Sequence, residues 1–231
     1  MRLHVVADAT DREGGYVVER LVQRGGEIVW LDRDALPGFN DLDDPALVLL
    51  LGSHKAAHDP RWSDAVARES ALVRASLRAE VPVMAICYGV QLLARALGGT
   101  SYRADDPELG WKRVDTVDPV LCPEGPWAQL HSDVFVPPPT SRVLGTSWYG
   151  PQCIVDDSLG GRAIGWQFHP EVTTDTFARW VEESDDTIRA AGADPRELVR
   201  QAMANASRSR NAAAELTDAA LAYLAVDLPP A

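Results

Sequence analysis

Residues 80–99, Glu80-Val-Pro-Val-Met-Ala-Ile-Cys-Tyr-Gly-Val-Gln-Leu-Leu-Ala-Arg-Ala-Leu-Gly-Gly99, constrain this chain more than any other stretch. The run 81–86 has the length and unbroken apolarity of a strand buried on both faces. Cys87, Tyr88 and Gly89 follow at once. Beyond them Val90, Leu92, Leu93, Ala96 and Leu97 fall at helical spacing, and Gly98-Gly99 closes the helix where glycine is favoured. Strand, abrupt turn carrying a nucleophile, then helix is the layout of a nucleophile elbow. The small residues Ala85 and Gly89 let strand and helix approach closely. Only a thiolate attacks, and the positive end of a helix dipole favours a thiolate over a thiol. The Tyr88 N–H points where a tetrahedral oxyanion would form. A cysteine that merely fills space would fit the same local pattern, so the rest of the chain has to supply a base.

Upstream, residues 3–7 read as a buried strand, 16–24 as an amphipathic helix closed by Gly25-Gly26, and 27–31 as a second strand. A polar loop with Pro and Gly covers 32–44, a strand apolar on both faces covers 46–51, and a long helix covers 62–79. Strands alternating with helices predict a three-layer α/β/α sandwich, with a mostly parallel central sheet covered on both faces. Ligands of such sheets bind beyond the carboxyl ends of the strands, which is where Gly52 and Cys87 fall. From Thr100 onward, short strand-like runs (111–117, 131–136, 142–147, 152–156, 162–168) suggest a meander or mixed extension that returns to the main sheet. Helical patterns then cover 175–191, 195–207 and 212–225, with Asp194-Pro195 as cap and first helical residue. The tail 226–231 reads as loosely held. The expected organisation is a single domain over 1–231, of which about 175–231 is a helical C-terminal extension.

Composition excludes several classes. There are 22 basic and 34 acidic residues, a net charge of −12, which argues against a nucleic-acid binder because phosphate neutralisation needs a basic face. No apolar run reaches membrane-spanning length, and the N-terminus reads as a first strand rather than a signal peptide. Three widely spread cysteines make no disulfide framework. A cytoplasmic protein without membrane attachment is the expectation.

A cysteine nucleophile needs a base to accept and deliver protons. Of five histidines, His169 stands out in Gly165-Trp-Gln-Phe-His-Pro-Glu171. Strand-like residues lead up to it, Pro170 stops the strand, and Glu171 lies two positions on, on the same side of an extended chain. A carboxylate so placed fixes the imidazole tautomer and stabilises imidazolium.

Cys87 in Ala-Ile-Cys-Tyr-Gly-Val-Gln-Leu-Leu-Ala, with His169 and Glu171 in Gly-Trp-Gln-Phe-His-Pro-Glu, resembles the class I (triad-type) glutamine amidotransferases. The likeness is greatest to stand-alone proteins similar to the amidotransferase domain of GMP synthase, and it extends over nearly the whole chain. It implies a flavodoxin-like fold and hydrolysis of the glutamine side-chain amide through a γ-glutamyl thioester. Cys87 would attack, His169 would carry the proton, and ammonia would leave, to be released or used by a separate synthase. It also implies oxyanion donors at Tyr88 and the Gly52–Ser53 turn, and a substrate contact at Gln91. The His131-Ser132-Asp133 loop would hold the amino-acid end of the substrate. No cofactor and no metal are implied, and no P-loop signature for ATP appears.

One departure stands out. The family pattern after the third strand is Gly-Gly-Pro, whereas this chain has Gly52-Ser53-His54. A serine keeps the backbone N–H but narrows the φ angles available, and a histidine in place of proline loosens the turn. Tolerated loop drift is one reading. The other is a different substrate, a γ-glutamyl conjugate of an amine, hydrolysed or transferred. A non-catalytic binding protein is the third possibility, disfavoured by an intact Cys87, His169 and Glu171. Cys122, Cys153 and His4 read as structural residues, His54 and His58 as a solvated loop, and Trp111 as core.

Overall fold

A computed structural model describes residues 1–228; residues 229–231, the end of the expected loose tail, lie outside it. In chain order the elements are β1 (Arg2–Ala7), α1 (Gly15–Gln23), β2 (Glu27–Asp32), β3 (Pro45–Leu50), α2 (Ser63–Arg78), β4 (Val83–Ile86) and α3 (Tyr88–Ala96). They continue with β5 (Thr100–Lys112), β6 (Asp115–Thr116), β7 (Trp127–Val136), β8 (Arg142–Ser147), β9 (Gly150–Asp156) and β10 (Ala163–Trp166). The last three are α4 (Thr174–Glu183), α5 (Asp185–Ala190) and α6 (Pro195–Leu224).

Eight strands form one sheet in the order β2-β1-β3-β4-β10-β9-β8-β6. The first five are parallel neighbours and the last three are added antiparallel. Side chains alternate across it. Leu3, Val5, Leu47, Leu49, Met84 and Ile86 face a core completed by α1 and the C-terminal half of α6. Val6, Val48, Leu50, Val83 and Ala85 face the core under α2 and α3. This period-two division gives the expected three layers with a flavodoxin-like order of parallel strands. Among the described residues no helix is long and apolar enough to cross a membrane.

The strand order places the carboxyl ends of β1, β3, β4 and β10 side by side. Asp8, Gly52, Cys87 and the segment leading to His169 therefore emerge along one edge, where ligands bind in such sheets.

Several boundaries differ from the sequence expectation, each for a local reason. The strand expected over 81–86 starts at Val83. The Val81 N–H closes the end of α2 by bonding the Ser76 carbonyl at 2.9 Å, and Pro82 has no N–H to offer a ladder. The run expected over 111–117 is divided: its start belongs to the longer β5, which pairs with β7 in a separate two-stranded ribbon, while Asp115–Thr116 form β6 and, with the runs from Arg142 onward, join the main sheet. The helix expected over 175–191 breaks at Ser184 into α4 and α5. Conversely, 195–207 and 212–225 are one helix, α6. The apparent break at Arg208-Ser-Arg-Asn211 continues helically, with Ser209 turned inward to accept the Trp111 Nε1–H at 3.2 Å and Arg210 paired with Glu19. Asp194 caps α6 by accepting the Arg196 N–H at 2.9 Å. Within the expected loose tail, Val226 and Leu228 are buried in the same core as β1.

The tightest approach in this frame lies under the elbow. A Cβ on Gly89 would stand 2.4 Å from the Leu50 carbonyl oxygen and 2.9 Å from Leu50 Cβ. Since α3 cannot retreat without moving Cys87, Gly89→Ala should lower the unfolding free energy by about 2–3 kcal/mol, read by urea denaturation. An unchanged midpoint would contradict this packing.

Candidate active site

Cys87 sits between β4 and α3 with φ 53° and ψ −111°. A non-glycine residue held there costs about 1–3 kcal/mol, which the surrounding fold must offset. Its restraints are visible. The Cys87 N–H bonds the Trp166 carbonyl on β10 at 2.8 Å, and its carbonyl accepts from Val90 and Gln91 N–H in the first turn of α3. Cys87 is thus the N-cap of α3, at the helix end that carries the positive pole of its dipole.

His169 arrives from the neighbouring strand. Gln167 and His169 lie just past β10, and their N–H groups bond the carbonyls of Gln152 and Ala128, each at 2.9 Å. The imidazole is 5 % exposed and packs against the Trp180 ring at a centroid distance of 5.0 Å. Its Nδ1 lies 2.7 Å from Glu171 Oε1, while its Nε2 is buried with no hydrogen-bond partner. Burial opposes charge on this ring, but Cys87 and Glu171 outweigh it and hold its pKa well above the ordinary 6.5. The Glu171 carbonyl in turn accepts the Tyr16 N–H at 2.8 Å, which ties the start of α1 to this corner.

The opposite wall is the turn after β3. A Cβ on Gly52 would stand 3.4 Å from His169 Cε1 and 3.8 Å from Cys87 Cβ, so any side chain added there would come up against both residues. Neither Gly52 nor Ser53 has a positive φ, so the narrower φ range of a serine is no obstacle to the turn. Nor is the turn loose. Ser53 Oγ donates to Asp8 at 2.6 Å and accepts the Lys55 N–H at 3.0 Å. His54 stands at the rim with its side chain 69 % exposed, its Nδ1 3.4 Å from Asp8 Oδ2. His58 faces a different carboxylate, Asp133, at 3.5 Å, so the two histidines do not converge.

Two adjoining cavities meet at Cys87. One, of about 260 Å³, is lined by Gly52, Ser53, Cys87, His169 and Glu171 and runs out past Trp180 to Asp11, Glu13, Arg179 and Glu183. The other, of about 190 Å³, is lined by Tyr88, Gln91, Arg103, His131, Ser132 and Asp133 among others. Residues 131–133 belong to β7 rather than to the expected loop. His131 has both ring nitrogens engaged, Nδ1 with the Asp133 carbonyl at 3.1 Å and Nε2 with Gln129 Oε1 at 3.0 Å. Gln91 donates to the Asp133 carbonyl at 3.0 Å. Burial pushes the Asp133 carboxyl up, against the pull of His58 and Arg103, and its Oδ1 has no hydrogen-bond partner.

Every residue expected from the sequence to belong to the site thus lines one of these two cavities. Sequence reasoning missed Gln167, whose Nε2 lies 3.7 Å from Cys87 Sγ, although strand alternation from His169 marks it. It missed Asp8, whose position just past β1 was a signal. It also missed Arg33, read as part of a polar loop yet fully buried, for which no local signal existed. The remaining cysteines are buried and unpaired, and burial, with Cys122 adding, pushes the Cys153 thiol well up, away from the reactive thiolate form.

Comparison with known proteins adds the family. The family model described as glutamine amidotransferase class-I matches residues 5–184. A GMP synthase (glutamine-hydrolyzing) of Aeropyrum pernix is 35% identical over 118 residues, 48% of this chain and 22% of that protein. One subunit of the glutamine-hydrolyzing GMP synthase of Saccharolobus solfataricus is 39% identical over 99 residues, 40% of this chain and 52% of that protein. The chain thus matches less than a quarter of the first relative's length and about half of the second's. The crystal structure of a glutamine amidotransferase from Thermotoga maritima superposes with a TM-score of 0.81 at 26% identity, covering 94% of this chain and 96% of that one.

The raised pKa of His169 has a consequence for stability. A group whose folded pKa lies above its unfolded value contributes fully below the unfolded pKa, here 6.5, and loses that contribution as pH rises through the folded value. The stability advantage of the native protein over His169→Gln should therefore be largest below about pH 6.5 and shrink as pH is raised, measured by urea denaturation across a pH series. A difference independent of pH would contradict the charged ring.

Proposed function

The chain belongs to the class I glutamine amidotransferases, and from that premise we propose that it hydrolyses the side-chain amide of glutamine with Cys87, His169 and Glu171 as nucleophile, proton carrier and orienting carboxylate. One observation carries the reading most: a buried imidazole whose Nδ1 is held by Glu171 at 2.7 Å and whose Nε2 is left unpartnered, in the cavity that Cys87 lines.

The proposed chemistry follows from this placement. The Cys87 thiolate attacks the amide carbon, and the carbonyl oxygen takes up negative charge opposite the backbone N–H groups of Tyr88 and the Gly52–Ser53 turn. Imidazolium His169 gives its Nε2 proton to the amide nitrogen; the C–N bond breaks with its electron pair on nitrogen, and ammonia leaves. The product on the protein is a γ-glutamyl thioester. His169, now neutral, takes a proton from water as the hydroxide attacks, and glutamate and thiolate are released. Glu171 holds the Nδ1–H throughout. Asp133, with an unpartnered oxygen in the second cavity, suits the α-ammonium of the substrate, and Arg103 at the rim suits its α-carboxylate. Gln91 positions Asp133 through its carbonyl.

Ammonia so formed would pass to a separate synthase. Support for this comes from the Saccharolobus relative, which is itself one subunit of a larger synthase. A second reading, cleavage of a γ-glutamyl amide of a larger amine, is favoured by the first cavity. It continues beyond Cys87 to Asp11, Glu13 and Glu183, which with Arg179 leave an excess of negative charge on the leaving-group side. A cationic amine would fit there.

Glutamate release from glutamine should fall by about 10³-fold or more in Cys87→Ser and in His169→Ala, with the folded state kept. Unaltered turnover in either variant would defeat the assignment. A panel of γ-glutamyl amides decides between substrates. Glutamine with the higher kcat/KM supports the first reading; an amide bearing a terminal ammonium with the higher kcat/KM supports the second.

A further inference from the structure

Beneath the turn after β3 lies a fully buried ion pair that the proposed reaction does not itself use. Arg33, just past β2, and Glu69, on α2, are each 0 % exposed and bonded to each other. Taking two charges out of water is costly, and a well-packed apolar pair often serves stability as well. Such a pair calls for an explanation in what it holds.

The contacts of Arg33 supply one. Its Nη2 donates to the Leu51 carbonyl at 2.9 Å and to the Gly52 carbonyl at 3.3 Å. The Leu51 carbonyl shares a peptide group with the Gly52 N–H, and the Gly52 carbonyl shares one with the Ser53 N–H. One guanidinium therefore fixes both peptide groups whose N–H ends form the turn-side oxyanion donors. A cationic donor on the carbonyl side also polarises each amide and strengthens its N–H as a donor. The same guanidinium lies 4.6 Å from the centroid of the Tyr88 ring, and Tyr88 Oη donates to Glu69 at 3.0 Å. Tyr88 carries the remaining donor N–H. Asp8 closes the unit, 3.2 Å from Arg33 Nε and bonded to Ser53 Oγ at 2.6 Å.

From this geometry we infer that Arg33 and Glu69 are positioning residues that hold the turn after β3 and the start of α3 as one rigid oxyanion site. The inference rests on the reading of that turn and Tyr88 as the oxyanion donors. It accounts for a turn with Ser53-His54 where the family has Gly-Pro: stiffness that proline would supply in the chain comes from a planar, five-donor fork below it. A lysine in the same place keeps the charge but cannot span two carbonyls and Glu69.

The test uses two reagents that both need the Cys87 thiolate but differ in oxyanion demand. p-Nitrophenyl acetate acylates the thiolate through a tetrahedral oxyanion, forming the S–C bond and expelling p-nitrophenolate with its electron pair. Iodoacetamide alkylates it by direct displacement with no oxyanion. In Arg33→Lys, acylation should fall by about 10²-fold while alkylation stays within about threefold, and glutamine kcat should fall with acylation at little-changed KM. Acylation and alkylation rates that both match the native protein, or that fall in parallel, would overturn the inference. Should Arg33→Lys not fold, Tyr88→Phe, which keeps the ion pair, decides: a lower acylation-to-alkylation ratio supports the inference and an unchanged ratio overturns it. A native protein acylated no faster than free cysteine also overturns it. Inertness of the native protein towards glutamine with rapid acylation would instead sink the choice of substrate and leave the positioning role standing.

Discussion

The arrangement depends on the hydrogen bond between the Cys87 N–H and the Trp166 carbonyl, 2.8 Å across from β4 to β10. It is made where the chain leaves β4 in a conformation that non-glycine residues avoid, and it persists because both neighbours of β4 are fixed. On one side β10 pairs in parallel register from Ala163 to Trp166. On the other, the Leu50 backbone of β3 presses against Gly89 with no room for a side chain. A residue squeezed between two strands in this way cannot rotate, so the thiol, the start of α3 and the end of β10 are set relative to each other by the sheet itself. That rigidity is what a site needs if the proposed nucleophile and proton carrier are to meet without reorganisation.

Charge is distributed around this site in two ways. The His169 ring, whose pKa is held up by Cys87 and Glu171 despite its burial, belongs to the proposed reacting side. The Arg33, Glu69, Asp8 and Lys55 group lies behind the opposite wall and touches it through backbone carbonyls and Ser53 Oγ. The first is the proposed acid and base of the site, and the second holds the wall in shape. A chain with a net charge of −12 thus keeps two of its cations, Arg33 and Lys55, out of solvent behind the turn after β3.

Much of this was legible in the sequence because it rests on local patterns. The strand and helix around Cys87 show as an apolar run followed by helical spacing, and Glu171 lies two extended residues from His169. The parallel core of the sheet follows from the alternation of elements up to Gly99. Legibility failed where long-range pairing overrides local preference. The pairing of β5 with β7 depends on residues up to 36 positions apart, Thr100 with Val136, and no period announces it. The helix α6 runs through a polar stretch that looked like a break because Trp111, some 98 positions earlier, takes up Ser209. Arg33 is the clearest case. A charged residue in a loop with Pro and Gly looks solvated, and only the fold reveals Glu69, 36 positions on, as its partner. The same partners show why Ser53 and His54 do not loosen the turn, which inspection of its three residues alone could not.

The proposed chemistry turns on Cys87 forming an acyl bond with the substrate, and the most direct measurement is intact-mass and peptide mass spectrometry of the protein quenched in acid during turnover with glutamine. A γ-glutamyl adduct on Cys87, absent from Cys122 and Cys153 and lost in Cys87→Ser, is the predicted result. Turnover of glutamine with no adduct at Cys87, or with the adduct on another residue, would contradict it.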